Sequence, residues 1–124
     1  ERATYGALVK ALDEAETNAR LAHRLYSTAR IERARWELDN EVHFGAMRAE
    51  AMRELQREKD MKTRSKQITD ADVNSACASM FPDEYRAQEL KRRRLKETEE
   101  SLEKLSEVWM MRCKTLQTLL SRQR

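Results

Sequence analysis

The chain has 124 residues, of which 38% are charged and 6% are aromatic, and its formal net charge is +3. This length allows one domain at most, and two glycines and one proline are too few for the turns of a sheet protein. No apolar run approaches the roughly 18 residues of a membrane-spanning helix, so we expect no membrane partner. The strongest helix formers dominate throughout, which favours long helices.

The first predicted helix runs from about residue 7 to about residue 60 without a proline. Its apolar and small residues recur at alternating spacings of four and three, as one buried seam requires. The row begins as Leu8, Leu12, Ala15, Ala19, Ala22, Tyr26 and Ala29, and then drifts to Ile31, Ala34, Leu38, Val42, Gly45, Ala49 and Met52. Gly45 is the weakest point, because a helix-interior glycine costs about 1 kcal/mol. The sequence leaves open whether the helix breaks there.

A basic turn follows at residues 61–68, and the residues that start a new helix stand directly behind it. Thr69 is a good N-cap, and Asp72 occupies the position that completes a capping box. Ile68 and Val73 occupy the two positions of a hydrophobic staple across the same cap. These residues predict a short helix over 69–80 that serves as an elbow.

Pro82 ends the short helix and suits the first position of a last helix, predicted over about 82–122. A seven-residue repeat in this helix predicts a coiled-coil seam. One row of the seam is Leu95, Leu102, Trp109 and Leu116, and its companion row contains Leu105 and Leu119. The predicted fold is therefore a single all-α domain over 1–124, with two long helices as an antiparallel hairpin and a short elbow helix. Its apolar surface exceeds what one facing helix covers, so we expect coiled-coil-like packing in a homo-oligomer through this seam.

Basic residues concentrate in two blocks on either side of an acidic segment. The first block comprises Arg57, Lys59, Lys62, Arg64 and Lys66, and the second comprises Lys91, Arg92, Arg93, Arg94 and Lys96. If the last helix folds back along the first, both blocks lie towards the elbow end. Such blocks are typical of proteins that bind a nucleic-acid backbone by charge rather than by base sequence. The alternatives are an ordinary solvated helix face and a surface for anionic lipids.

The sequence contains none of the common catalytic or cofactor motifs. There is no glycine-rich phosphate loop and no HExxH motif. His23 and His43 lie about 30 Å apart in one predicted helix, and Cys77 and Cys113 lack metal-ligand spacing. The four glutamates within residues 97–103 suit ion pairs with lysines three or four positions away better than a metal site. We therefore expect no enzyme activity, no cofactor and no metal, and a reducing, cytoplasmic location.

The order of these features resembles a known family. After a long helix rich in Ala and Arg come Lys62-x-x-x-Lys66, Ile68-x-x-x-Asp72-Val73 and Asp83-x-Tyr85, and a second long helix ends in Leu116-x-x-Leu119. Over about residues 20–124 this layout resembles the UvsY-like recombination mediators of bacteriophages, although this chain has a longer first helix and a pronounced KRRR run. The resemblance implies a helical protein that forms closed rings, binds single-stranded DNA and helps load a recombinase onto strands coated by a single-strand-binding protein. It also implies DNA contacts at Arg57 and Lys59 and oligomer contacts from the last helix.

Two functions follow as hypotheses. The first is a non-enzymatic recombination mediator, a homo-oligomer that binds single-stranded DNA through the basic blocks and acts with a recombinase and a single-strand-binding protein. The second is a structural coiled-coil scaffold or assembly adaptor that binds no nucleic acid and whose charges serve only solubility. A phage-encoded protein of the first kind would work in the cytoplasm of a bacterial host.

Overall fold

A computed structural model describes residues 4–60 and 67–123, and these residues form three α-helices. Helix α1 spans Tyr5–Asp60, α2 spans Asp70–Met80 and α3 spans Pro82–Arg122. The described ranges contain no β-strand, so the predicted all-helical class is confirmed. None of these helices combines the length and the apolar character needed to cross a bilayer. Three of the residues predicted to bind DNA, Lys62, Arg64 and Lys66, lie outside the described residues.

Helix α1 passes through Gly45 without interruption. The glycine costs a helix about 1 kcal/mol, and packing in the turns that follow offsets this cost, because Met47 and Ala51 are buried. Arg57 and Lys59 lie in the last turn of α1, where positive charge is favourable beside the exposed carbonyl groups of the helix end.

The predicted start of α2 is confirmed in detail. The Thr69 hydroxyl accepts a hydrogen bond from the Asp72 backbone N–H at 3.2 Å, and the Thr69 N–H donates to the Asp72 carboxylate at 2.9 Å. These two bonds are the capping box. Ile68 packs against the core that contains Val73, as a hydrophobic staple requires. The Phe81 N–H donates to the Cys77 carbonyl at the other end of α2, and Pro82 begins α3.

The chain divides into two compact units. The terminal unit consists of Glu1–Arg33 and Leu95–Arg124, and the central unit consists of Ala34–Arg94. Both long helices contribute to each unit, because α1 continues past Arg33 and α3 continues past Arg94.

The central unit has a core built from two helices. Its buried residues are Met47, Ala51 and Leu55 of α1 and Val73 and Cys77 of α2, and Ile68, Ala76, Phe81 and Tyr85 pack around them. Burial raises the pKa of the Cys77 thiol, and the charge of Arg48 lowers it by less. The thiol therefore stays protonated at neutral pH and packs as a small apolar group.

The terminal unit buries one leucine and three alanines of α1 at intervals of seven residues. On α1 these are Leu8, Ala15, Ala22 and Ala29, whereas Ser106 is the buried residue of α3. An ion pair links the two helices, since Arg33 Nη1 lies 2.7 Å from Glu99 Oε2. Arg30 Nε lies 3.9 Å from the other oxygen of the same carboxylate. Glu99 therefore pairs with arginines of α1, rather than with a nearby lysine on its own helix as its spacing predicts.

Candidate nucleic-acid interface

The second basic block lies within α3, where successive side chains point about 100° apart around the helix. Arg92 is half-buried and makes contacts within the central unit. Its guanidinium lies 2.6 Å from the Glu89 carboxylate and 4.9 Å from the centre of the Phe44 ring of α1. A cation over an aromatic face is attracted to the ring quadrupole. Arg92 therefore has partners within the chain, and DNA binding by this residue stays a prediction.

The neighbours of Arg92 point away from these contacts. Lys91, Arg93 and Arg94 are exposed, and within the described part of the chain none of the three makes an ion pair. We call these three residues the α3 cation cluster. Lys96 is also exposed, and it belongs to the terminal unit. Lys91, Arg93 and Arg94 thus place three exposed positive charges close together on α3.

The described part of the first basic block is the end of α1. Arg57 is exposed and lies 3.2 Å from the Glu54 carboxylate three residues earlier, while Lys59 is exposed in the final turn. Exposed ion pairs of this kind contribute at most about 1 kcal/mol, so Arg57 can exchange its partner for a phosphate.

Among the described residues, Arg57 of the first block and Arg92 of the second lie at different levels of the central unit. Arg92 lies beside Phe44, and Arg57 is thirteen positions further along α1. At about 1.5 Å per residue, Arg57 lies about 20 Å along the axis of α1 from the point where Arg92 contacts it. The expectation that both blocks lie towards the elbow end stays a prediction; Arg57, Lys59 and residues 91–94 all belong to the central unit. A separation of about 20 Å also exceeds the Debye length of about 8 Å at physiological salt, so the blocks act as separate charges.

A groove of about 620 Å³ lies beside Phe44, a feature that sequence reasoning missed. Arg48 of α1 also lies near the Phe44 ring, at 6.0 Å, and donates hydrogen bonds to Asn74 and Asp70 of α2. Gln88 of α3 lines the groove, and its amide N–H₂ donates to the Asn40 side chain. Its carbonyl oxygen is buried without a hydrogen-bond partner within the described residues. The spacing of Phe44 and Arg48, four positions apart on one helix face, was the signal in the sequence.

Within the single chain, the residues that accompany the seven-residue repeat of α3 are not Leu105 and Leu119. Leu95, Leu102, Trp109 and Leu116 are half-buried within the single chain. The half-buried or buried residues that accompany them are Glu99, Ser106, Cys113 and Leu120, each four positions later. Leu105 and Leu119, the predicted companions, lie three positions later and are 43% and 40% exposed. These two leucines face solvent instead of the seam, and a contact between copies through them stays a prediction.

The histidines and carboxylates do not form a metal site in the described residues. No group of three or more potential metal ligands occurs there. His43 Nε2 lies 3.5 Å from a carboxylate oxygen of Glu84, with both side chains more than half exposed. This contact is an ordinary surface pair.

Comparison with protein-family models, with curated proteins and with solved structures found no match to this chain.

Proposed function

We propose that this chain is a non-enzymatic recombination mediator that binds single-stranded DNA as a homo-oligomer. The observation that carries the proposal is the α3 cation cluster, whose three side chains are exposed within little more than one helical turn. Cations of this kind displace the counterions of a phosphate backbone, and the released ions drive binding. The resemblance of the sequence layout to the UvsY-like mediators supports the link to recombination.

The chemistry of the cluster suits phosphates better than bases. The guanidinium fork of Arg93 or Arg94 can hold two oxygens of one phosphate, and Lys91 adds a point charge. Phe44 is half-buried and lies against Arg92, so its ring is not open for stacking on a base. The proposed mode is therefore backbone binding without sequence preference, to which Arg57 and Lys59 add a second, separate contact.

We also propose that α1 and α3 run antiparallel. Asn40 is paired with Gln88, and His43 lies beside Glu84, so residue numbers fall on α3 as they rise on α1. In the terminal unit the Arg33–Glu99 pair fits the same direction. A hairpin of this kind leaves Leu105 and Leu119 exposed for contact between copies.

The scaffold hypothesis is the second candidate, and one observation favours it. Helix α1 exposes Leu38 and Val42 on the surface of the central unit, by 68% and 83%. Exposed apolar side chains in a row are typical of protein–protein contact and require no nucleic acid.

Fluorescence anisotropy of a labelled single-stranded oligonucleotide, titrated at several salt concentrations, tests DNA binding. We compare the wild-type chain with the triple variant Lys91→Ala, Arg93→Ala, Arg94→Ala. Each phosphate contact contributes about −0.7 to the log–log salt slope, so the loss of three contacts reduces the slope by about 2. Arg92 is left in place because its contacts lie within the chain.

The matched control removes three exposed cations of the terminal unit, by the substitutions Arg20→Ala, Arg24→Ala and Lys114→Ala. It has the same net charge as the triple variant, so it should keep the wild-type slope. Equal losses in both variants would show that binding depends on net charge alone and would reject the α3 cation cluster as the site. No binding by the wild-type chain at low salt would favour the scaffold.

The mediator role has its own test. We expect the chain to accelerate filament formation by a recombinase on DNA coated with a single-strand-binding protein, and the triple variant to lose this effect. Tight DNA binding by a chain that does not accelerate the recombinase would retain the binding site and reject the mediator role.

A further inference from the structure

Helix α1 has a second apolar row on the side that faces away from the core of the central unit. Leu38, Val42 and Met52 are 68%, 83% and 44% exposed, and Gly45 and Ala49 between them are exposed as well. The spacings from 38 to 52 alternate between four and three, the pattern of a coiled-coil seam. We call these five residues the α1 row. Two buried residues of α1, Met47 and Ala51, each follow a member of the row by two positions, which is about 200° around the helix.

Gly45 is not explained by contacts within the chain. A glycine destabilises a helix interior, and a Cβ added at this position would meet no other atom within 4 Å. The fold therefore leaves room for a larger residue, although glycine occupies the centre of the exposed row. A glycine at such a position permits the close approach of a second helix.

We propose that the α1 row of one chain binds the α1 row of a second copy, with the two helices antiparallel. The two-fold axis then falls between positions 43 and 44. Val42 of one copy packs over Gly45 of the second, and Leu38 packs over Ala49. Each of these two layers sets a large side chain against a small one, so the two helices can approach closely and fill the contact around the axis.

Charge complementarity selects the second copy and the antiparallel direction. Glu41 and Arg48 both border the row, at the edge of the groove beside Phe44. In the antiparallel arrangement the same flanks of the two helices meet, and Arg48 of each copy lies two positions, about 3 Å, from the level of Glu41 of the other, within reach of its long side chain. The symmetry makes this pair twice. Arg48 lies 3.4 Å from Asp70 within its own chain, and Asp70 is 98% exposed. Its guanidinium has five N–H donors, so it can also bind a carboxylate of the second copy.

A parallel arrangement fits the row less well. In register, it would set Gly45 against Gly45 and Ala49 against Ala49, which leaves gaps in two of the five layers. Gaps in a packed contact lose the dispersion and burial energy of the missing atoms. The antiparallel pairing has no layer of two small residues among positions 38, 42, 45 and 49.

Disulfide trapping tests the pairing and its direction without DNA, so its outcome is independent of the proposed DNA binding. The background carries Cys113→Ser, while the buried Cys77 remains. One variant adds Leu38→Cys and another adds Ala49→Cys. In the antiparallel pair, position 38 faces position 49, whereas two copies of position 38 are about 16 Å apart. That distance far exceeds the roughly 7 Å limit between Cα atoms of a disulfide.

We expect an equal mixture of the two variants to form covalent dimers at least about tenfold faster than either variant alone, because only the mixture brings two thiols within reach. The Cys113→Ser chain without an added cysteine is the negative control for cross-linking. Fast cross-linking of each variant by itself would show a parallel contact and would overturn the direction. No cross-linking in the mixture or in either variant would overturn the contact.

Sedimentation over micromolar concentrations, again without DNA, gives the second measurement. The substitution Val42→Glu should weaken self-association at least about tenfold, since a carboxylate would be buried against a glycine layer. The matched control is Val9→Glu, which changes a valine of α1 that is 43% exposed in the terminal unit. If both variants self-associate as strongly as the wild type does, the proposed row is wrong. Because Val42 is 83% exposed, the substitution should leave the fold of the single chain intact.

Discussion

The central and terminal units are stabilised in different ways. The central unit buries medium-sized side chains, with Val73 and Cys77 fully enclosed and Met47 and Leu55 nearly so. The terminal unit buries Leu8 and three alanines on α1. Two helices alone can enclose only residues at their line of contact, and small residues there let the helices approach closely. A third element, α2, lets the central unit enclose larger side chains, which contribute more burial energy.

The largest expected effect comes from the core of the central unit. Leu55→Ala removes a side chain that is 6% exposed, and a buried Leu→Ala change costs about 2–5 kcal/mol. Urea unfolding followed by circular dichroism measures it. The control Leu21→Ala changes a leucine of α1 that is 51% exposed, and it should stay within about 0.5 kcal/mol of the wild type. If both substitutions lower the free energy of unfolding equally, burial of Leu55 does not stabilise the central unit as described.

A smaller effect is expected from overfilling the terminal unit. Ala22 is 2% exposed, so Ala22→Leu adds volume where the helices meet and should cost about 1–3 kcal/mol. The control Ala87→Leu places the same change at an exposed position of α3 and should be close to neutral. Thermal unfolding of both variants decides the matter. A stable Ala22→Leu variant would show that close helix approach does not stabilise this unit.

The smallest of the three effects concerns the cap that starts α2. Thr69→Ala removes the hydroxyl that accepts the Asp72 N–H, and the expected loss is about 1 kcal/mol. Thr69→Ser keeps an accepting hydroxyl and should keep most of the stability. Chemical unfolding of the two variants compares them directly. If serine costs as much as alanine, the threonine stabilises the central unit through its methyl group rather than through the cap.

Local chemistry made the ends of the helices predictable. The cap at Thr69, the staple of Ile68 with Val73 and the helix start at Pro82 follow from residues within a few positions of one another. Interactions of this range depend little on the rest of the chain.

The seams were only partly predictable. In α3 the leucines 105 and 119 are more apolar than Ser106 and Cys113, so hydrophobicity does not identify the row that is buried within the single chain. In α1 the row from Ile31 to Met52 satisfies the helical period, yet its large members are exposed. When a helix carries two apolar rows, the helical period fits both equally well. Packing against other helices determines which row is buried.

The candidate nucleic-acid site was also only partly predictable from the sequence. Composition alone locates the run of basic residues from Lys91 to Arg94. It does not reveal that Arg92 contacts Phe44, a residue 48 positions earlier. The three exposed cations become the candidate site because this contact turns Arg92 towards the chain.

The sequence by itself determined that the chain is helical and where its helices begin and end, because helix propensity, capping and proline geometry act over a few residues. Only the tertiary structure decided which apolar row of α1 is buried, which residues of α3 form the seam and which cations of the basic run remain exposed. Those outcomes depend on contacts between residues far apart in the chain, such as Arg33 with Glu99 and Arg92 with Phe44. The local sequence pattern does not predict which distant residues will contact each other.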